Sequence, residues 1–224
     1  MTYYPLFLDL TDRPCAVIGG GKVAERKVLS LLDAGADVTV ISPKLSSTLA
    51  GLAAKRTVKL THLKERFKAG MLEGFFLVVS ASSSKAVNAL VSKEGRKFGA
   101  IVNVADAPEL CDFIVPSLVK RGELSIAVST SAKCPGLAKE LRLELEENYG
   151  PEYGEYVEIL GAIRNKLLKD KRKYDNKERL LHELFVSGIP ELLRSGSISE
   201  LDKLLISILG RGYSLASLGA GIKE

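Results

Sequence analysis

Between residues 14 and 105 short apolar runs alternate with segments of helical period. CAVIG (15–19), DVTVIS (37–42), VKLTHL (58–63), FFLVVSA (75–81) and AIVNVA (100–105) read as strands. Between the first two, VAERKVLSLLDAG sets Ala24, Val28, Leu31 and Leu32 on one face and stops at Gly35. Before the last, KAVNALVSKEGRKFG puts Val87, Leu90 and Val91 on one side and ends before Gly99. Strand, helix, strand in repetition predicts an α/β fold: a parallel, doubly wound sheet with right-handed crossovers. VKLTHL alternates and belongs nearer an edge; FFLVVSA is apolar throughout and belongs inside.

After Pro116 the pattern changes. ELSIAVST (123–130) reads as one further strand, and PGLAKELRLELEENYG as a helix with Pro135 near its start and Gly150 at its end. One strand and one helix cannot bury both faces, so this element must dock elsewhere or pair with a second copy. From Pro151 onward the signals are helical: YGEYVEILGAIRNKLLKD, KERLLHELFVSGIPELLRSG and SISELDKLLISILGRG. Ser197 and Glu200 are spaced as a capping box. KDKRKYDNK (169–177) reads as a solvated linker and LASLGAGIKE as a frayed tail. The expected organisation is a sheet domain over 1–113, a small strand-helix element over 114–150 and a helical domain over 151–224.

Composition narrows the function classes. A chain of 224 residues, 46% hydrophobic, accommodates one ordinary domain and a smaller second one. Its apolar runs fall short of the roughly 18–20 residues that span a bilayer. The N-terminal stretch carries acids and no basic cluster before its apolar part, so a cytoplasmic protein away from membranes is expected. Cys15, Cys111 and Cys134 show no C-x-x-C spacing and read as free thiols. Lys and Arg exceed Asp and Glu, 32 against 27, which suits a polyanionic partner. No basic run interleaved with aromatics precedes 169–177, so no nucleic-acid surface is expected. His62 and His182 are the only histidines, too few for a metal cluster or an identifiable Ser-His-Asp set.

Candidate chemistry begins at Gly19-Gly20-Gly21-Lys22-Val23-Ala24, a G-x-G-x-x-A run after a strand and at the start of a helix. Gly19 permits the tight turn, Gly21 lets the backbone approach a pyrophosphate, and Ala24 allows close packing of helix on strand. Amides at that helix end suit phosphates. The acid that usually takes the ribose hydroxyls is missing. Ser42 stands where it could bond a ribose, and Lys44 would tolerate a 2′-phosphate, so these residues leave NAD and NADP both open. Asp106 is the first charged residue after AIVNVA. It therefore falls at the mouth of the cleft where open parallel sheets bind ligands, and is expected to be partly desolvated and able to accept a proton. Asp112, beside apolar FIVP, is a weaker candidate.

GGGKVAERKVLSLLDAGADVTVISP, NVADAPELCDFIVPS and LSIAVSTSAKCPGLAKELRLELE together resemble the precorrin-2 dehydrogenase family, which includes the N-terminal half of siroheme synthase. The resemblance covers about residues 1–165 in matching order and spacing. It implies a Rossmann domain, a strand-helix dimerisation element joining two chains, and a helical third domain. It implies oxidation of precorrin-2 to sirohydrochlorin with NAD as hydride acceptor, and in some members insertion of Fe²⁺. The family's functional aspartate follows N-V-x-D, here Asn103-Val104-Ala105-Asp106, with Asn103 on the substrate side. Cofactor contacts fall by resemblance on Lys22, Val23, Pro43 and Lys44, and on the loop Ser80-Ala81-Ser82. The family's V-S-S-G-G-T-S-P loop reads Val128-Ser129-Thr130-Ser131-Ala132-Lys133-Cys134-Pro135 here. Thr130 keeps a substrate-side hydroxyl, whereas Ser131 and Ala132 replace two glycines and put the loop's conformation in question. A polycarboxylate substrate would suit Lys133, Lys120 and Arg121. Two other readings use the same glycines: an NAD(H)-sensing regulatory domain without catalysis, and an NADP-dependent reductase of another small molecule. The sensor would not need Asp106.

Overall fold

The computed structural model describes residues 3–169 and 177–219. The chain divides into two compact units, Met1–Val115 and Pro116–Glu224.

The first unit runs β1 (Pro14–Ile18), α1 (Lys22–Asp33), β2 (Asp37–Ile41), α2 (Ser47–Ala53), β3 (Leu60–Leu63), β4 (Leu77–Ser80), α3 (Lys85–Lys97) and β5 (Ile101–Val104). All five strands are parallel in the order β3-β2-β1-β4-β5, a Rossmann-type sheet. The alternating VKLTHL is the edge strand β3, and apolar FFLVVSA supplies the interior strand β4. Strand order reverses between β1 and β4, and the crevice at the C-terminal ends of these two strands is where such sheets take ligands.

Alternation along each strand divides the core between the two faces. Cys15, Val17, Val38 and Val79 pack with Ala24 and Val28 of α1 on one; Ala16, Val78, Val102 and Val104 pack with Val91 of α3 on the other. Of the apolar stripes, Ala24, Val28, Leu31 and Val91 are buried, while Leu32, Val87 and Leu90 are partly buried. Gly95 lets α3 approach the sheet, since a Cβ there would lie 2.5 Å from Val102 Cγ2. Helix α2 has no apolar stripe long enough to predict it: it is short, contains Gly51, and is started by Ser46, whose hydroxyl accepts from Leu49 N at 3.3 Å.

In the second unit β6 (Ser117–Arg121) and β7 (Leu124–Val128) form an antiparallel hairpin turned at Gly122. The single strand expected here is thus corrected to a pair. SLVKR carries no strand signature, because Val119 alone of its residues is buried and two of its five are basic. The helices are α4 (Pro135–Asn148), α5 (Glu152–Lys169), α6 (Lys177–Phe185), α7 (Ile189–Arg194), α8 (Ile198–Leu209) and α9 (Leu215–Leu218). The stretch 177–196 is broken by left-handed Gly188. Ile159, Ile163, Leu184, Leu201, Leu205 and Leu209 form the fully buried helical core. Two expectations fail here. Ser197 caps nothing with its side chain and shares a hydrogen bond with Ser195 Oγ at 2.8 Å instead, and the supposedly frayed tail begins with α9, capped by Ser214. Most of the expected linker, residues 170–176, and the tail from 220 lie outside the described residues. Among those described, no helix is long and apolar enough to cross a membrane.

Candidate active site

Each glycine of the turn has its own reason to lack a side chain. Gly19 has φ +121°, and a Cβ there would lie 2.6 Å from Ala81 O. At Gly20 a Cβ would lie 2.0 Å from Lys44 O. Both are therefore needed by the fold. Gly21 differs: a Cβ would meet nothing within 4 Å. It is the N-cap of α1 and supplies no side-chain cap, so the helix end stays open. An open helix end behind a bare Cα fits a dinucleotide pyrophosphate. Lys22 and Val23, the first two helical residues, are exposed beside it.

The loop after β2 is stapled to this turn. Ser46 N donates to Gly20 O at 2.7 Å, and Ser46 Oγ donates to Glu25 Oε2 at 2.5 Å. The hydrogen bond from Ser46, helped by Lys22 at 3.6 Å, holds the Glu25 carboxyl below its ordinary range despite some desolvation. Ser42 is buried and its hydroxyl donates to Lys44 O at 2.7 Å. His62 Nε2 lies 2.8 Å from Ser42 O, so that nitrogen carries the proton and donates. Ser42 thus shapes the loop from inside, while Pro43 and Lys44 are exposed on it. Neither the Ser46–Glu25 staple nor the role of His62 was legible beforehand, because both join residues far apart in sequence.

After β4, Ser80 is fully buried and donates to Asn88 Oδ1 at 2.7 Å; Asn88 Nδ2 donates to Ser82 O at 3.2 Å. Asn88, on α3, therefore sets the course of the loop through Ala81 and Ser82.

At the end of β5, Asp106 takes a left-handed φ of +60°. Asp tolerates this conformation better than most residues, and such strain gathers at functional sites. The partly desolvated position expected for it is corrected: Asp106 is exposed, and no partner engages its carboxylate among the described residues. Its turn is braced by Cys111, whose Sγ accepts from Val104 N at 3.1 Å and lies 3.3 Å from both Val104 O and Ala107 O. Asp112 proves to be an architectural carboxylate. Its backbone N donates to Val102 O at 2.8 Å, and its two carboxylate oxygens accept from Val102 N and Arg96 Nε, each at 2.9 Å. Asn103 is buried and donates to Phe113 O at 2.9 Å. Segment 111–113 thereby covers the free edge of β5.

Thr130 and Lys133 belong to the second unit. Thr130 Oγ1 accepts from Cys134 N at 3.1 Å, and Thr130 O accepts from Lys133 N at 3.0 Å. Ser131 and Ala132, at the glycine positions of the resembling loop, have φ of +53° and +62°. The loop keeps a glycine-like backbone without glycine. Arg121 does not serve an open surface: it donates to Tyr149 O and Glu146 O, closing the C-terminal end of α4.

A family model described as "Putative NAD(P)-binding" matches residues 6–117, half of the chain. The chain is 36% identical over 208 residues to a siroheme synthase of Photobacterium profundum, covering 93% of this chain and 44% of that protein. It is 39% identical over 214 residues to one of Methylobacillus flagellatus, covering 95% and 45%. The chain thus spans under half the length of these relatives. A solved structure named "SirC, precorrin-2 dehydrogenase" superposes with a TM-score of 0.77 at 28% identity, covering 92% of this chain and 98% of that one.

Proposed function

The chain belongs to the NAD(P)-binding family, and on that premise we propose that it catalyses NAD-dependent oxidation of precorrin-2 to sirohydrochlorin, a step towards sirohaem. The names of its relatives and of the similar solved structure support this substrate. The observation that carries the reading is one unit joining a glycine turn open to a pyrophosphate with an unpaired carboxylate at the end of β5.

Gly20, Gly21, Lys22 and Val23 would hold the pyrophosphate through backbone amides, with Gly19, whose amide donates to Ile41 O at 3.1 Å, shaping the turn beneath them; Pro43 and Lys44 would take the adenosine side, and Ala81 and Ser82 the nicotinamide side. Ser42 and Ser80 act from beneath as buried supports of those two loops. When bound, the cofactor supplies the hydride acceptor. Asp106 takes the proton that leaves as the hydride departs, which balances a two-electron oxidation. Asn103 orients the segment that follows Asp106, and Thr130 and Lys133 are further substrate-side candidates. Where Fe²⁺ is also inserted, it is a substrate, and Asp106 would receive the pyrrole protons.

We place a homodimer on the hairpin and α4, where Leu118, Leu137, Leu141 and Leu143 leave an exposed apolar surface. A cytoplasmic setting accords with three free thiols, one of them exposed.

The test is anaerobic incubation of the full chain with precorrin-2 and NAD⁺, following NADH and the sirohydrochlorin spectrum. Asp106→Asn is expected to bind NAD unchanged and to lose roughly 10²–10⁴-fold in turnover, the usual worth of a positioned base. A wild type that binds NAD and forms no NADH would overturn the enzyme reading in favour of a nucleotide sensor.

A further inference from the structure

We propose that Cys111 is a positioning residue for the reaction: its thiol fixes the direction in which Asp106 presents its carboxylate. This rests on the reading of Asp106 as the base. Val104 to Ala107 form a turn at the end of β5, closed by Ala107 N donating to Val104 O at 3.4 Å, a long hydrogen bond. Asp106 stands third in that turn with φ +60°, a place that favours glycine or asparagine. Its carboxylate is exposed, and no partner engages it among the described residues. No contact of its own therefore sets its direction, and the backbone of the turn must.

The Cys111 thiol holds that turn at both ends. Sγ accepts from Val104 N at 3.1 Å and lies 3.3 Å from Val104 O and from Ala107 O, the first and last carbonyls of the turn. Cys111 is itself fixed from both sides. Its backbone N donates to Pro108 O at 3.1 Å, and the preceding Leu110 O accepts from buried Ser92 Oγ of α3 at 3.0 Å. The following Asp112 binds Val102 twice, through its backbone N and through a carboxylate oxygen. Cys111 also packs against the apolar cluster that contains Val91, Val102 and Val104. A thiol suits this setting, being apolar enough for the cluster yet able to donate and to accept. Rigid anchorage thus runs from α3 and β5 through Cys111 to the turn. Left-handed strain persists only where the surroundings over-determine it. Without the thiol, one long hydrogen bond closes the turn, and Asp106 relaxes away from φ +60°. A shift of about 1 Å in a reacting group costs on the order of 10²-fold in rate.

The experiment uses the full chain as Cys111→Ala and Cys111→Ser, each alone and combined with Asp106→Asn, beside Asp106→Asn and the wild type. Anaerobic turnover of precorrin-2 with NAD⁺ is measured, and NAD affinity by titration calorimetry. Cys111→Ala is expected to lower kcat about 10–100-fold, with KM for precorrin-2 and Kd for NAD within about threefold of the wild type. Cys111→Ser keeps a group that donates and accepts, and recovers most of the lost turnover. In the Asp106→Asn background no base is left to place, so Cys111→Ala changes the residual turnover by less than about threefold. Wild-type kcat in Cys111→Ala overturns the proposal, as does a serine variant no better than alanine. A fall in kcat as large without Asp106 as with it also overturns it, being the mark of a merely structural role. Should Cys111→Ala fail to fold, Cys111→Val fills the space without the hydrogen bonds and takes its place under the same criteria. An Asp106→Asn protein as fast as the wild type overturns the base assignment itself, and does so with Cys111 untouched.

Discussion

Gly21→Ala separates what the glycine turn does for the fold from what it does for the ligand. A methyl at Gly21 meets nothing within 4 Å, and its φ of −90° is open to any residue, so the fold should hardly notice it. Alanine is a poorer N-cap than glycine, which sets the expected stability loss at about 0.5–1 kcal/mol. Binding should respond far more. A phosphate oxygen hydrogen-bonded to these amides sits about 2.9 Å from nitrogen, closer than a methyl carbon allows at ordinary contact. Displacing it removes one charge-assisted bond, worth about 1.5–3 kcal/mol, or roughly 10–150-fold in Kd. Gly20→Ala should do the opposite, because its Cβ would lie 2.0 Å from Lys44 O and the stapled loop must move before any ligand arrives. The assay pairs NAD titration calorimetry with urea denaturation of both variants and the wild type. A Gly21→Ala protein that binds NAD with wild-type affinity would refute the placement of the pyrophosphate over α1.

Two further expectations concern the second unit. Replacing Ser131 and Ala132 together by glycine relieves about 1–2 kcal/mol of left-handed strain at each against about 0.5–1 kcal/mol of added chain entropy. With both terms counted at each residue the net gain is about 1–2 kcal/mol, so the double variant should melt roughly 2–8 °C higher; a lower melting temperature by calorimetry would show that the positive φ values are not strained. The carboxyl of Glu152 is desolvated by burial, which raises its pKa, but the hydrogen bonds and charge of Arg194 outweigh this and hold it below 4.5. Its stabilising contribution is present above 4.5 and is lost as pH falls through the lower native value. Urea midpoints measured from pH 7 to pH 3 should accordingly drop less steeply in Glu152→Gln than in the wild type. Parallel curves would refute the pairing.

The sheet was legible because its signals are local. Buried strands are short apolar runs, and α1 and α3 each show a stripe, so the parallel architecture and the edge position of β3 followed from pattern alone. The hairpin strand β6 was not legible, because Lys120 and Arg121 interrupt its apolar run. In the candidate site the glycine spacing announced itself, and so did Asp106 as the first charge after an apolar strand. Its exposure did not, since that depends on how the chain leaves β5. Ser42, Ser80 and Asn103 have the right place in sequence but turn inward to Lys44, Asn88 and Phe113. Direction along a turn is set by tertiary hydrogen bonds that no spacing rule encodes. Asp112 shows the same limit. Beside an apolar run it resembled a cleft acid, whereas its carboxylate stands in for a missing neighbouring strand.

That substitution bears on how copies of the molecule avoid sticking together. A strand rim with idle amides invites pairing with another chain. Along β5 the Val102 and Val104 amides are already taken by Asp112 and Cys111, so this rim offers little to an intruder. The opposite rim, β3, has no such cover among the described residues, but it is only four residues long and is flanked by Lys59 and Lys64. Two molecules laying β3 against β3 in antiparallel register would set Lys59 of one beside Lys64 of the other, and facing like charges oppose that union. Resistance to fibre-like stacking thus comes from a carboxylate and a thiol on one side of the sheet and from electrostatic repulsion on the other.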